Sequence, residues 1–419
     1  MSSDHISTTS FTISWLLEKL EQSLGKETSC CISSLLKSWK ASPIGEDTGL
    51  GSDMVQVQFQ WESTAAAGVS DDDIGSGLPS SVILKVPSDR RFREMAQQSA
   101  PEAADMVMDT WNIAEIHESE CDFYGLWDTA DAAPLKIPRC YYFQLMNPDG
   151  VLILEDLSAD GILQCAPDGL TLGQLMQIAE NLAHLHAWSL TNVEEWLEDF
   201  PGEEKKAYER FDKAAMATFN SIKEELCPAV FEANKIDAVA RSATTADDIW
   251  YMYDIHNQLN MPPVLVHGDL WTANIMFKRT VGSDGKSTDK ASDELLAIFD
   301  WQTCYGGCAS LDFVRLACTS VSPELRRCSM EAVMRHYYRQ LLLDLGNDTQ
   351  APFCFDTFLM SYERCLKAGF LNVVVMDVDV LTAHRTPEMI FGGQAGAAQV
   401  LTRCKELLDD VLAIEQKLP

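Results

Sequence analysis

The sequence predicts an α+β chain of two lobes, a small N-terminal lobe with a β-sheet and a larger, mostly helical C-terminal lobe. The chain has 419 residues, which is long for a single domain. Strand patterns recur in residues 1–155, and helical patterns prevail in residues 156–419. The apolar run Val151–Leu154 ends the first set, so the boundary between the lobes is expected close by, at about residues 154–157.

Composition limits the classes of partner. The chain has 63 acidic and 32 basic residues, a formal net charge of −31, and so acidic a surface repels nucleic acid and anionic lipid. We find neither a signal-peptide pattern at the N-terminus nor an apolar run long enough to span a membrane. The cysteines lack the spacing of a disulfide framework or a zinc site. We expect a cytoplasmic protein that binds neither nucleic acid nor membrane and needs no obligatory protein partner.

The first elements are predicted from residue spacing. Apolar residues recur every three or four positions in residues 11–39, with a break at Gly25, which predicts two leading amphipathic helices. Met54–Trp61 alternates apolar and polar residues, as a half-exposed strand does. The preceding segment, Gly45–Ser52, contains three glycines and predicts either a hairpin that covers phosphates or an ordinary turn.

A lysine lies within the next strand. Ser81–Pro87 is mostly apolar around Lys85, and a lysine in such a run needs a charged partner unless it faces water at a sheet edge. Residues 103–127 follow with helical periodicity. The acidic residues of this helix that are available to Lys85 are Glu115, Glu118 and Glu120.

The stretch 264–277 carries the strongest indication of chemistry. A polar turn and Asn274 lie between an apolar run ending at Val266 and another starting at Ile275, which predicts strand, tight loop and strand. Asp269 and Asn274 have the Asp-x-x-x-x-Asn spacing of the kinase catalytic loop. In that loop the aspartate accepts the proton of the acceptor hydroxyl and the asparagine binds a metal ion.

A second carboxylate follows at the end of a predicted strand. Asp300 ends the apolar run that starts at Leu295, and Mg²⁺ accepts a few hard oxygen ligands of this kind. We therefore expect Asp300 and Asn274 to bind the Mg²⁺ that bridges the phosphates of ATP.

Three motifs resemble those of a known group of small-molecule kinases. They are His267-Gly268-Asp269-Leu270-Trp271 with Asn274, Asp300-Trp301-Gln302, and Leu154-Glu155-Asp156-Leu157. On these motifs the chain resembles the ecdysteroid-kinase-like, or CHK-kinase-like, family, which is related to choline kinases and aminoglycoside phosphotransferases. The resemblance covers about residues 40–390 and implies a bilobal protein-kinase-like fold with an antiparallel sheet in the small lobe.

The resemblance also implies roles for individual residues. The family has a Glu-x-x-Phe-Tyr pattern whose glutamate pairs with the strand lysine, which favours Glu120 as the partner of Lys85. A helical insert at about residues 192–260 would line the acceptor pocket, and Asp312 would open a helix and brace the catalytic loop. The remaining cofactor-binding residues belong to the glycine hairpin and to the hinge that binds adenine: Gly49, Gly51, Ser52, Glu155 and Leu157.

The predicted function is transfer of phosphate from ATP, with Mg²⁺, to a hydroxyl group of a small molecule, either a sterol-like or an amino alcohol. Asp269 would act as the base, and Lys85 would neutralise phosphate charge. The alternative is a catalytically silent nucleotide-binding scaffold or sensor, although Asp269, Asn274 and Asp300 are all retained. A protein kinase is disfavoured, because the eleven residues between Asp300 and Asp312 are too few for an activation segment.

Overall fold

In the structure, a computed structural model, the chain has two compact units. Unit 1 comprises Met1–Ala132 and Pro138–Ala159, and unit 2 comprises Ala133–Ile137 and Asp160–Pro419. None of the helices in the described part of the chain combines the length and hydrophobicity needed to cross a membrane. The described residues are 4–24, 32–44, 51–62, 77–91, 93–94, 112–127, 132–202, 220, 223–224, 227, 230–243, 246–283, 285–346, 350–372 and 393–416.

Unit 1 is built on a five-stranded antiparallel sheet. Its strands are β1 (Leu36–Ile44), β2 (Ser52–Trp61), β3 (Ser81–Pro87), β4 (Cys140–Gln144) and β5 (Val151–Glu155). Their order across the sheet is β1-β2-β3-β5-β4. Helix α1 (Ile13–Leu24) packs its apolar side chains on one face of the sheet. Leu84 of β3 belongs to that core, so the next residue, Lys85, points to the opposite face.

The prediction of two leading helices is wrong for the second of them. Ile32–Leu35 forms a single 3-10 turn, and Leu36–Ile44 is strand β1, paired antiparallel with β2. A β-bulge between Leu36 and Ser38 inserts one extra residue. Leu36 and Trp39 therefore both pack against the core although they are three positions apart. The bulge produced the spacing that we interpreted as helical.

Unit 2 contains two small antiparallel sheets. Their strands are β6 (Gly161–Leu163), β7 (Val264–Val266), β8 (Ile275–Val281), β9 (Ser287–Ile298) and β10 (Tyr305–Gly307). Strand β8 lies between β6 and β9, and β7 pairs with β10. The two strands around the catalytic loop thus belong to different sheets. Residues 279–294 lie mostly in β8 and β9, which remain paired as far as Val281 and Ser287.

The rest of unit 2 is mainly helical. Helix α2 (Ile113–Gly125) belongs to unit 1. The helices of unit 2 are α3 (Leu172–Thr191), α4 (Val193–Trp196), α5 (Ala233–Ala243), α6 (Ala246–Tyr253), α7 (Ile255–Gln258), α8 (Leu311–Thr319), α9 (Pro323–Leu345), α10 (Phe355–Asn372) and α11 (Gly393–Glu415). Helix α3 begins with a capping box formed by Thr171 and Gln174.

The predicted fold class is confirmed. The chain is α+β, with an antiparallel sheet in its N-terminal part and a helical C-terminal part. The third strand of the sheet carries Lys85, and the helix that follows this strand carries Glu120. This order of lysine strand and glutamate helix is the one found in protein kinases.

Candidate active site

The catalytic loop is held in a conformation that requires glycine. Gly268 has φ +82, in the left-handed region that side chains disfavour. A Cβ at this position would lie 2.2 Å from the carbonyl oxygen of Thr303, so the loop packs directly on the backbone that follows Asp300. Thr303 also donates a hydrogen bond to the carbonyl of His267 at 3.3 Å. These contacts fix the turn that presents Asp269.

Asp312, at the start of α8, binds the backbone of the same turn. One carboxylate oxygen accepts from the amide of His267 at 2.9 Å, and the other accepts from the amide of Gly268 at 3.1 Å. The side chain is completely buried, and burial raises its pKa above the ordinary value of an aspartate. Asp312 therefore supports the loop, as the resemblance implied.

The imidazole of His267 connects the loop to the residues on either side of Asp300, the predicted metal ligand. Nδ1 accepts a hydrogen bond from the amide of Asp269 at 3.2 Å, so the proton lies on Nε2, which donates to the carbonyl of Phe299 at 3.0 Å. The ring also packs against the indole of Trp301, 4.5 Å away between centroids. His267 is fully buried and thus fixes Asp269 relative to the residues on both sides of Asp300.

Asn274 is oriented by Asp269. The amide nitrogen of Asn274 donates to the backbone carbonyl of Asp269 at 2.8 Å and lies 3.3 Å from its carboxylate oxygen Oδ2. Because the nitrogen is used in these contacts, the side-chain oxygen is the atom of Asn274 that can bind a cation. The carbonyl of Asn274 accepts from the amide of Phe299 at 3.1 Å, which places Asp300 beside it.

Asp300 has an unusual backbone conformation. It follows the end of β9, and its φ of +67 lies in the left-handed region. Aspartate and asparagine tolerate this region better than other residues with a Cβ, for which it costs about 1–2 kcal/mol. Strain of this kind is concentrated at functional sites, where it aims a side chain.

Arg315 is a site residue that sequence reasoning missed. Its Nε donates to Oδ1 of Asp269 at 3.0 Å, and its Nη2 lies 2.8 Å from the same oxygen. Arg315 follows Asp312 by three positions on α8, and the neighbours Phe313, Val314, Leu316 and Ala317 are apolar. The signal that would have identified it is a single basic residue on a mostly apolar helix, one turn after Asp312.

Unit 1 contains a buried ion pair. Nζ of Lys85 lies 2.5 Å from Oε2 of Glu120, and both side chains are buried. Glu115 and Glu118, the other two acids of helix α2, are exposed. The pairing therefore involves the glutamate that the resemblance favoured, whereas the role of the pair in nucleotide binding stays a prediction.

The other predicted cofactor residues of unit 1 lie at strand ends. Gly51 and Ser52 stand at the start of β2, where the carbonyl of Gly51 accepts from the amide of Ser88 at 3.1 Å, and Gly49 lies outside the described residues. Glu155 ends β5, and its carboxylate accepts from the amide of Arg139 at 3.2 Å. Leu157 follows Asp156 and is half-buried.

Asp156 ties the predicted hinge to the sheet. Its carboxylate accepts from the side chain of Gln56 on β2 at 2.7 Å and from the amide of Ser158 at 3.0 Å. Burial opposes ionisation, but hydrogen bonds from Ser158, Ser81 and Gln56 together hold the pKa of Asp156 below its ordinary value. Asp156 thus stabilises the backbone of the hinge, as the cap of a turn does.

The helical insert begins next to the catalytic loop. The carbonyl of Phe200 accepts from the amide of Gly306 on β10 at 3.0 Å, and β10 pairs with β7. Helices α4 to α7 account for the described parts of the predicted insert, and residues 203–219 lie outside the described residues. The start of the insert is therefore attached to β10, the strand that pairs with the one leading into Asp269.

The donors brought together in unit 2 fit a magnesium ion. One amide oxygen, from Asn274, and one carboxylate, from Asp300, are hard ligands, and Mg²⁺ commonly takes only one or two such groups from a protein. Phosphate oxygens and water complete its coordination in nucleotide sites. No cluster of three or more His, Cys, Asp and Glu side chains suited to a metal occurs among the residues that the structure describes.

A family model and two curated relatives match the chain. The model, DUF1679, described as uncharacterized oxidoreductase dhs-27, matches residues 4–417. The uncharacterized oxidoreductase dhs-27 of Caenorhabditis elegans is 24% identical over 377 residues, which are 86% of this chain and 41% of that protein. The uncharacterized kinase-like protein D1044.1 of the same organism is 26% identical over 290 residues, 68% of this chain and 70% of that protein. The chain thus spans less than half of the first relative.

Solved structures with a distant likeness include two phosphotransferases. An ethanolamine kinase of Plasmodium vivax is 14% identical, with a TM-score of 0.43, and the match covers 91% of this chain and 84% of that one. An ADP-bound aminoglycoside phosphotransferase is also 14% identical, with a TM-score of 0.37, and the match covers 93% of this chain and 98% of that one.

Proposed function

The chain belongs to the DUF1679 family, and from the geometry of its site we propose that it is an ATP- and Mg²⁺-dependent phosphotransferase that acts on a hydroxyl group of a small molecule. The observation that carries the proposal is the meeting of the start of β8 with the end of β9. There the backbone bond between Asn274 and Phe299 places Asp300 beside Asn274, and Asn274 in turn contacts the carboxylate of Asp269. A base with two magnesium ligands beside it is what phosphoryl transfer requires of a protein.

Each residue has a proposed role. Asp269 orients the acceptor hydroxyl and accepts its proton. Asn274 and Asp300 would hold Mg²⁺, which would supply positive charge to the phosphates of ATP. Lys85, oriented by Glu120, would neutralise phosphate charge. This local positive charge is needed because the protein as a whole, at −31, repels an anionic nucleotide.

The acceptor is proposed only as a class. The narrower resemblance to ecdysteroid-kinase-like and CHK-kinase-like proteins suggests a sterol-like or an amino alcohol, and both remain open. The many carboxylates of the chain would suit a cationic alcohol, and the aromatic residues of the insert would suit a sterol. A cytoplasmic location, which the use of ATP would fit, also stays a prediction.

A catalytically silent scaffold or sensor is the competing function. It would bind Mg²⁺-ATP through the same residues but would transfer no phosphate. The first relative is named an oxidoreductase, but this chain spans 41% of that protein, and we propose no oxidoreductase activity for it. Turnover therefore distinguishes the two functions, whereas nucleotide binding does not.

The test is transfer of the γ-phosphate of labelled ATP into a small-molecule extract, with the products separated by mass. The full chain is compared with Asp269→Asn and with Asp289→Asn, a matched control because Asp289 is fully exposed on β9. We expect a labelled product with the wild type and with Asp289→Asn but not with Asp269→Asn.

Each other result has a definite meaning. Mg²⁺-ATP binding without any labelled product would favour the scaffold. Full turnover by Asp269→Asn would remove Asp269 from its role as base. No nucleotide binding at all would contradict both functions.

A further inference from the structure

Helix α8 contacts the catalytic loop through two side chains one turn apart. Asp312 accepts hydrogen bonds from the backbone amides of His267 and Gly268, and Arg315 donates to the side chain of Asp269. Positions i and i+3 lie on the same face of a helix. A single rigid element therefore holds both the backbone of the loop and its reactive carboxylate.

The two carboxylate oxygens of Asp269 have different surroundings. Oδ1 lies 3.0 Å from Nε and 2.8 Å from Nη2 of Arg315, and both contacts are charge-assisted. Oδ2 has a longer contact, 3.3 Å, with the neutral amide of Asn274. Charge-assisted bonds are about twice as strong as neutral ones. Oδ1 is thus the anchored oxygen, and Oδ2 is the oxygen placed to receive a proton.

Burial fixes the position of the guanidinium. The side chain of Arg315 is 8% exposed, against 34% for Asp269. A buried cation is strongly destabilising without an anionic partner, so Arg315 has little freedom to leave Asp269. Its guanidinium carbon also lies 5.8 Å from the ring of Trp271, within the range of a cation–π contact. The carboxylate is therefore oriented by a group that is itself fixed.

We propose that Arg315 is a positioning residue that directs Oδ2 of Asp269 toward the hydroxyl of the acceptor, an inference that rests on the proposed phosphotransferase function. In the step, the acceptor oxygen bonds to the γ-phosphorus, and the bond from this phosphorus to the β–γ bridging oxygen breaks. The hydroxyl proton passes to Oδ2, and ADP leaves with the electron pair of the broken bond. Arg315 acts through Asp269, and it neither gives nor takes a proton.

The first test separates rate from nucleotide binding. Arg315→Gln and Arg315→Lys are compared with Arg326→Gln, a matched control, since Arg326 is buried in the same unit and pairs with Asp410 at 2.6 Å. The reaction is labelled-ATP transfer into the small-molecule extract. For Arg315→Gln we expect a rate at saturating Mg²⁺-ATP that is about 10–100-fold lower, with an unchanged KM for Mg²⁺-ATP, because a slightly misplaced reacting group has that effect.

The two other variants make the result specific. Arg315→Lys keeps the charge but not the two-donor geometry, so its rate should lie between those of the wild type and Arg315→Gln. Arg326→Gln should unfold at a lower temperature but retain the wild-type rate. A wild-type rate in Arg315→Gln would overturn the role of Arg315 and leave the phosphotransferase function intact.

A second test does not depend on turnover. The thermal midpoints of the wild type, Asp269→Asn, Arg315→Gln and the double variant form a cycle. If Arg315 holds Asp269, the shift caused by Asp269→Asn differs between the wild-type and Arg315→Gln backgrounds, and equal shifts overturn the proposal. Unequal shifts in a protein that transfers no phosphate would support the hold of Arg315 on Asp269 and contradict the proposed function.

Discussion

The ammonium nitrogen of Lys85 lies 2.5 Å from Oε2 of Glu120, with 8% and 1% of the two side chains exposed. Charges so well removed from water are stable only as a pair, because each partner offsets the desolvation of the other. Hydrophobic residues of similar size often give equal or greater stability. The pair is therefore better explained by a function of Lys85 than by stability.

Lys85→Met should unfold more easily. The substitution leaves Glu120 buried without its cation, and breaking a buried pair in this way costs about 3–5 kcal/mol. The double variant Lys85→Met with Glu120→Leu should recover most of this free energy of unfolding, measured by urea denaturation. Neither variant should bind Mg²⁺-ATP with wild-type affinity in a calorimetric titration.

A matched control is the exposed pair of Lys278 and Glu294. Lys278→Met should change the free energy of unfolding very little, since both side chains are about half exposed, and exposed pairs contribute little. Normal Mg²⁺-ATP affinity in the double variant at Lys85 and Glu120 would show that Lys85 does not contact the nucleotide.

Local patterns predicted the polar loop and the strand of Lys85, because the residues that define them are adjacent in sequence. Strand β1 was misread, because its bulge is visible only in the pairing with β2. Arg315 was missed for a related reason. Its partner, Asp269, is 46 positions away, and only the packing of α8 brings the two together. Sequence spacing predicts groups within one element, whereas contacts between elements depend on the tertiary fold.

A comparison of Asp300→Ala with Asp300→Asn should separate the effect of the lost negative charge from the effect of the left-handed backbone conformation. Alanine removes the predicted metal ligand and also disfavours φ +67, at a cost of about 1–2 kcal/mol in the free energy of unfolding. Asparagine tolerates this φ but lacks the negative charge. We expect both variants to bind ATP less tightly than the wild type when Mg²⁺ is present, and only Asp300→Ala to lose stability. Unchanged Mg²⁺-dependent affinity in both would exclude Asp300 as a ligand.

Gly268→Ala should disrupt the catalytic loop. Its φ is +82, and the new Cβ would lie 2.2 Å from the carbonyl oxygen of Thr303, which is backbone and cannot rotate away. Gly285→Ala is the matched control, because Gly285 has φ +77 but no heavy atom within 4 Å of the added Cβ. We expect a loss of about 1 kcal/mol for the control and a clearly larger loss for Gly268→Ala. Equal losses in urea denaturation would show that the loop can move away from Thr303.

His186 links α3 to α9 inside unit 2. Its Nδ1 lies 2.7 Å from the hydroxyl of Tyr337, and both side chains are fully buried. Burial lowers the pKa of His186 from 6.5 to about 3. His184, two positions earlier, instead contacts Asp344 of α9 at 2.7 Å. The two histidines thus have separate partners, because positions i and i+2 of a helix face different sides.

The lowered pKa of His186 makes stability depend on pH. Between about pH 3 and 6.5 the unfolded chain binds a proton at this residue that the folded chain does not, so stability falls as pH falls below 6.5. This contribution reaches about 2 kcal/mol at pH 5. His186→Asn keeps a hydrogen-bonding group near Tyr337 but does not titrate. Between pH 7 and 5 its free energy of unfolding should therefore fall by about 2 kcal/mol less than that of the wild type.

His117 and His256, whose pKa values burial also lowers, remain in both proteins and cancel in this difference. Equal falls in urea denaturation at the two pH values would show that His186 is accessible to protons in the folded protein.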